Sequence, residues 1–180
     1  DAFGRVYEYF LANFALAEGQ GAGEFFTPAA IVRLIVETIE PYHGRIYDPA
    51  CGTGGMLTVA EEHVRRVNPT ARLHLFGQEL QPESYAVCRT DMLLKGQNAA
   101  DIVFGDSFTQ DGHKGKTFDY QLANPPYGKD WKTIEKAIKA EHADEGFDGR
   151  FGAGLPATSD GQILFLQQMP LGLFYRRRIA

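Results

Sequence analysis

Asp48-Pro49-Ala50-Cys51-Gly52-Thr53-Gly54-Gly55 is the stretch whose reading decides the fold. A short strand-like segment over 45–48 runs into it, and a helical pattern from about Met56 to Val67 runs out of it. Strand, glycine loop and helix in that order open a parallel α/β unit. Glycine belongs in such a loop because the backbone can pass close under a ligand when no Cβ intervenes. The dinucleotide fingerprint requires glycine at 52, 54 and 57, and position 57 is Leu57. No Walker lysine follows the glycines either. The loop is therefore in the right place for a nucleotide but lacks the spacing of a pyrophosphate cradle. That favours an adenosyl ligand without phosphates. A leucine at position 54 is expected to fill the space beneath such a ligand.

The pattern repeats downstream. Residues 72–76 alternate like a strand and lead to Gly77-Gln78-Glu79; Pro82 opens a helix that closes near Gly96. A strand over 101–104 leads to Gly105-Asp106, and another over 118–123 ends in Asn124-Pro125-Pro126-Tyr127. Upstream, Thr27 reads as a capping hydroxyl and Pro28 as the first helical residue. Ile31, Leu34, Ile35, Thr38 and Ile39 carry that helix until Pro41 and Gly44 stop it. Before it, Phe3, Val6, Tyr7, Phe10, Leu11 and Phe14 recur at helical spacing, ahead of a loop over 18–23. The chain thus reads as one α/β unit, a mostly parallel sheet flanked by helices. Ligands of such sheets sit beyond the C-terminal ends of the strands. Asp48, Glu79, Asp106 and Asn124 all fall at those ends. Glu79 follows Gly55 by 24 residues, close to the offset of about 20 at which an acid meets ribose hydroxyls. A tight turn and a surface glutamate are the plainer alternative.

Composition narrows the class. The 180 residues carry 18 basic and 23 acidic side chains, a net charge of −5, with 44% hydrophobic and 23% charged residues. That suits one globular domain and not a disordered chain. A free-standing nucleic-acid binder is usually basic, so any phosphate affinity should come largely from partners or a missing segment. Cys51 and Cys88, the two cysteines, make neither a disulfide framework nor a zinc site, and no metal is expected. They suit a reducing cytoplasm. The uncharged stretch over 161–175 falls short of the ~20 apolar residues of a membrane-spanning helix, so no membrane partner is expected.

Asn124-Pro125-Pro126-Tyr127 is a rigid corner. Two prolines stop the strand and donate no backbone hydrogen bonds, so carbonyl oxygens are presented outward beside the Asn124 amide. Such acceptors suit an amino group with two hydrogens to place, and Tyr127 offers a face for a flat ring. His43, His63, His74, His113 and His142 sit outside these motifs and read as surface or satisfied core residues.

Gly23-Glu24-Phe25-Phe26-Thr27-Pro28, the glycine loop and Asn124-Pro125-Pro126-Tyr127, taken in this order, resemble the modification (M) subunit of type I restriction-modification systems. The resemblance extends from Phe3 to about Gln168 and includes Asp130-Trp131-Lys132 and Ser159-Asp160-Gly161-Gln162. It implies a Rossmann-like methyltransferase fold using S-adenosyl-L-methionine, in the gamma motif order. The activity implied is methylation of adenine N6 in double-stranded DNA with the target adenine flipped out. The implied partners are a specificity (S) subunit and a restriction (R) subunit. By that resemblance Glu24, Phe25, Phe26, Thr27 and Pro28 line the methionine end of the cofactor. Asp48, Gly52, Thr53, Gly54 and Gly55 hold its amino acid and sulfonium region. Glu79 takes the ribose hydroxyls, Asp106 the adenine amino group, and Asn124, Pro125, Pro126 and Tyr127 the target base.

Cytosine C5 methylation needs a thiolate that typically follows proline; Cys51 follows Ala50 and Cys88 follows Val87, which removes that chemistry. Cytosine N4 methylation stays open on the residues alone, as do an RNA or glutamine amide substrate and a cofactor-binding assembly module. Residues 169–180 depart from the family pattern, and Pro170 is expected to break the helix that the family extends. The chain is accordingly expected to be partial: a leading helix and loop over 1–22, a motif-bearing core over 23–168 and an aberrant or truncated tail over 169–180. It is expected to be inactive on DNA by itself, with the strand before Asn124 short of a neighbour. Arg176-Arg177-Arg178 reads as a solvated basic tail.

Overall fold

A computed structural model describes residues 27–172. The expected leading helix, Glu24, Phe25, Phe26 and the basic tail lie outside the described residues. The order of elements is α1 (Ala29–Ile39), β1 (His43–Asp48), α2 (Gly55–Val67), β2 (Arg72–Glu79), α3 (Pro82–Leu94), β3 (Ile102–Phe104), β4 (Tyr120–Gln121), α4 (Glu135–Glu145) and α5 (Gly161–Gly172). Four parallel strands lie in the order β3-β2-β1-β4. The chain therefore runs outward from the centre in one direction, then crosses back to place β4 on the other side of β1. Such a reversal is where open α/β sheets place their ligands, at the strand ends next to β1.

Strand alternation divides the core into two faces. Ile46, Leu75, Ile102 and Leu122 turn to one face and pack with Val32 and Val36 of α1, Leu57 and Val64 of α2, and Met92 of α3. Tyr47 and its register partner Phe76 turn to the other, where Phe118 stacks on Tyr47 at 4.5 Å. His113 sits among these rings, with Nε2 3.1 Å from the Gly77 carbonyl. Burial lowers its pKa, so the imidazole stays neutral, a satisfied core histidine as read from the sequence. A second apolar core joins Phe108, Trp131, Ile138, Phe151, Leu164 and Phe165, fastening α4, α5 and the loop after β3 into one body.

Several local readings are corrected. Pro28, not Thr27, is the cap residue of α1, and no side chain caps the helix. The Pro28 carbonyl takes the N–H groups of Ile31 and Val32 instead. The buried stripe of α1 is Val32 and Val36, with Ile35 and Ile39 beside it; Ile31 and Leu34 are exposed. Asp101 closes a 3₁₀ turn before β3 rather than starting the strand. The strand expected over 118–123 is regular only at Tyr120–Gln121. Among the described residues it has β1 on one side and no strand on the other, so only one edge holds it in register.

Pro170 does not end α5, which continues to Gly172. A helical proline removes one hydrogen bond, to the carbonyl four residues earlier. That residue is Leu166, on the exposed face where water can take its carbonyl. The Met169 carbonyl accepts from Gln121 Nε2 at 2.6 Å, which ties the helix to β4. Among the described residues, no helix is long and apolar enough to cross a membrane.

Candidate active site

Read along the C-terminal edge of the sheet, the strand ends present Asp106 after β3, Glu79 at the end of β2, Asp48 at the end of β1 and Asn124 after β4. The four residues expected from the sequence thus line one edge, in the order the strands impose.

The glycine loop is stapled to β2. Cys51 N–H donates to the Gln78 carbonyl at 3.0 Å, and Gly52 N–H donates to Glu79 Oε2 at 2.8 Å. Glu79 Oε1 accepts from Gln81 N–H at 2.7 Å. The glutamate is buried and braces the loop. It is no surface residue. Gly52 has φ +54°, and a Cβ built there would meet nothing within 4 Å. This backbone faces open space, as a loop approached closely by a ligand must.

Gly54 is different. It caps α2 at φ +84°, and a Cβ there would lie 2.7 Å from Cys88 Sγ. A side chain at 54 thus drives into the contact between α2 and α3 instead of filling space beneath a cofactor, which corrects the expectation for leucine. Thr53 and Gly55 are half-buried in the same turn.

Asp48 is buried and accepts the Ala50 N–H at 2.9 Å. Burial pushes its carboxyl up to about 7; the Ala50 hydrogen bond opposes that rise and the charge of Glu79 adds to it. A carboxyl poised there gains or loses its proton according to the charge that faces it. Cys51 and Cys88 lie with sulfurs 4.0 Å apart, both buried. The contact with Cys88, and then burial, raise the Cys51 thiol well above its usual range. A thiol held protonated is a poor nucleophile. Cys51 is thus poorly suited to nucleophilic attack.

At the β4 end of this edge, Asn124 is exposed and its Nδ2 donates to Thr27 Oγ1 at 3.0 Å. This contact brings the Thr27-Pro28 segment against the Asn124-Pro125-Pro126-Tyr127 corner, 97 residues later in the chain. Pro125 and Pro126 are half-buried, and Tyr127 is 72% exposed, its ring open to stacking. The segment behind this corner is folded back on itself. Trp131 N–H donates to the Thr158 carbonyl and its indole to Ala157, both at 2.9 Å, while Gly161 N–H meets the Lys129 carbonyl at 3.2 Å. The Asp130-Trp131-Lys132 and Ser159-Asp160-Gly161-Gln162 motifs are thereby neighbours.

Three supporting residues were not singled out from the sequence. Gln78, fully buried in β2, donates to the carbonyls of Gly105 and Gln110 and accepts from Gly112 N–H. Arg150 forms a two-pronged ion pair with Glu141 at 2.6 Å and donates to the carbonyls of Ser107 (2.9 Å) and Phe108 (2.7 Å). Gln168 adds a bond to Ser107 at 3.2 Å. Together they hold the loop in which Asp106 Oδ1 accepts the Phe108 N–H at 2.8 Å. No local pattern marked Gln78, which stands between Gly77 and Glu79 in a half-polar strand, or Arg150. A separate cavity of about 220 Å³ lies by Tyr47, His113, Phe118 and Arg150, and none of the expected site residues lines it.

A parallel sheet of this order, with a glycine loop after its first strand and polar groups along one edge, has the fold of S-adenosylmethionine-dependent methyltransferases. The type I restriction-modification methyltransferase subunit of Streptococcus thermophilus superposes on 93% of this chain with a TM-score of 0.74 at 28% identity, over 36% of its own length. The sequence matches N-6 DNA Methylase over residues 1–175, and the chain belongs to that family. The HindI methylase subunit of Haemophilus influenzae is 38% identical across the whole chain. The MjaIX methylase subunit of Methanocaldococcus jannaschii is 39% identical over 71% of it. The chain spans 39% of the first relative and 23% of the second.

Proposed function

We propose that this chain supplies the catalytic core of a type I modification methyltransferase that methylates adenine N6 in double-stranded DNA. The observation that carries the reading is the C-terminal edge of the sheet: Asp106, Glu79, Asp48 and Asn124 follow one another along it, with Gly52 backing onto open space. S-adenosyl-L-methionine, when bound, supplies an electrophilic methyl group on a sulfonium. Asp48 and the loop of Gly52, Thr53, Gly54 and Gly55 hold its amino acid end, together with Glu24, Phe25, Phe26, Thr27 and Pro28. Glu79 takes the ribose and Asp106 the adenine amino group.

The amine of the target base is a weak nucleophile because its lone pair is delocalised into the ring. Asn124 Oδ1 and the Pro125 carbonyl accept its two hydrogens and favour a pyramidal nitrogen, while Pro126 keeps the corner rigid and Tyr127 stacks on the flipped ring. Each hydrogen bond contributes ~0.5–1.5 kcal/mol net. Holding nucleophile and methyl in line contributes ~7–11 kcal/mol. Positioning therefore outweighs activation.

With the acidic balance of the chain, base reading falls to a specificity subunit, and a restriction subunit completes the complex. Mass spectrometry tests the reading after the assembled complex is incubated with labelled cofactor and with DNA, RNA and protein substrates. Label in N6-methyladenine of DNA is expected. Label confined to N4-methylcytosine, RNA or glutamine would overturn it.

A further inference from the structure

We infer that Thr27 is a positioning residue for Asn124: by accepting the Nδ2 hydrogen at Oγ1 it leaves the Asn124 carbonyl oxygen facing the base to be methylated. The inference rests on the proposed role of Asn124 as acceptor for the target amine. A carboxamide has two ends of nearly equal size and opposite hydrogen-bonding character, and a half-turn of its last torsion exchanges them. In one orientation oxygen meets the amine hydrogens. In the other, donor faces donor and the bonds are lost. An exposed asparagine therefore needs a neighbour to hold its plane.

Thr27 Oγ1 is that neighbour, 3.0 Å from Nδ2. Three features leave it to this task. It makes no cap bond to α1, whose cap residue is Pro28. Pro125 and Pro126 follow Asn124 and have no N–H to draw Oδ1 away. Among the described residues Oδ1 receives no donor. The hydroxyl at 27 thus has a role distinct from lining the methionine end of the cofactor.

Thr27→Val keeps the branched shape and removes the hydroxyl; Thr27→Ser keeps the hydroxyl. Both are assayed in the complete methyltransferase with its partner subunits, by single-turnover transfer at saturating cofactor and DNA and by calorimetry with S-adenosylmethionine. Thr27→Val is expected to slow transfer roughly 10- to 100-fold, the scale of a misplaced reacting group. Cofactor affinity should fall far less than the rate, and Thr27→Ser should restore the rate. Normal transfer in Thr27→Val would overturn the inference. So would weakened cofactor binding with normal transfer at saturation, which leaves Thr27 to the cofactor alone.

A third measurement is independent of activity. In full-length subunit labelled with ¹⁵N-asparagine, one Asn124 Nδ2 proton should resonate downfield in wild type and Thr27→Ser but not in Thr27→Val. Absence of that shift in wild type overturns the inference whatever the enzyme methylates. Its presence in an enzyme that leaves adenine unmodified would instead refute the role proposed for Asn124.

Discussion

Asp48→Asn is expected to stabilise the protein above pH 7 while weakening its hold on S-adenosylmethionine. Asp48 is 2% exposed, and burial pushes its carboxyl up to about 7 from an ordinary 3.8. Between those values the folded protein keeps a proton that the unfolded chain releases. Stability therefore falls as pH climbs from about 4 to about 7 and is level above, the sign for an acid whose folded pKa is raised. Over the full interval the loss approaches roughly 4 kcal/mol. Asparagine accepts the same Ala50 N–H bond and does not ionise. The variant's advantage in urea unfolding should thus be small near pH 4, already appreciable at pH 5, and grow toward pH 8. For binding the sign reverses, because an ionised Asp48 would face the α-ammonium group of the cofactor's amino acid end. Wild-type affinity should rise roughly 10-fold between about pH 6 and pH 8. The asparagine variant carries only the ligand's own titration and should bind more weakly at pH 8. A stability gap that stays constant from pH 5 to pH 8 would show that Asp48 ionises normally. Equal affinity at pH 8 would show that its charge does not meet the cofactor.

The two loop glycines should separate stability from binding. Gly54→Ala meets Cys88 Sγ at 2.7 Å and φ +84°, and should cost ~1–3 kcal/mol in thermal or urea unfolding. Gly52→Ala, with open space ahead of its Cβ, should cost ~1–2 kcal/mol from backbone strain and show its larger effect in cofactor calorimetry. In the assembled methyltransferase, Asn124→Ala should nearly abolish transfer of labelled methyl with cofactor affinity intact. Tyr127→Ala should weaken capture of the flipped base by ~1–3 kcal/mol, measured as DNA affinity with an abasic or mismatched target as control. Arg150→Ala strands Glu141 and two carbonyls in a half-buried setting, and a loss of ~3–5 kcal/mol in unfolding free energy is expected; a loss under ~1 kcal/mol would mean solvent replaces the clamp.

What the sequence made legible follows from the range of the interactions that set it. The turn at Asp48 to Gly55 is local: strand, glycines at positive φ and helix announce themselves within twenty residues, and β1, β2, α2 and α3 stand where the pattern puts them. The strand ends were legible for the same reason, since a parallel sheet carries its ligand groups there whatever lies between the strands. α1 shows the limit of periodicity. Its apolar residues are nearly continuous from Ala29 to Ile39, so several stripes fit, and only packing on α2 selects Val32 and Val36. α4 gave almost no signal because Ile138 is its one buried residue among charged ones, and the ion pair of Glu135 with Lys139 decorates its outer side.

The least legible part is the one that holds Asp106. Its loop contributes Phe108 to a core assembled from Trp131, Phe151 and Phe165, and it is clamped by Arg150 from 42 residues away. Such contacts leave no periodic trace, because each partner lies in a different loop or helix and is chosen by shape and charge. Asp106 could be named from its place after β3, yet nothing within its own segment says what fixes its direction. The Thr27–Asn124 bond is of the same kind. Thr27 reads locally as a helix cap, and only the crossing of β4 beside β1 brings Asn124 to the hydroxyl. Residues that would touch the ligands were therefore readable from local pattern, whereas those that aim them are products of the tertiary fold.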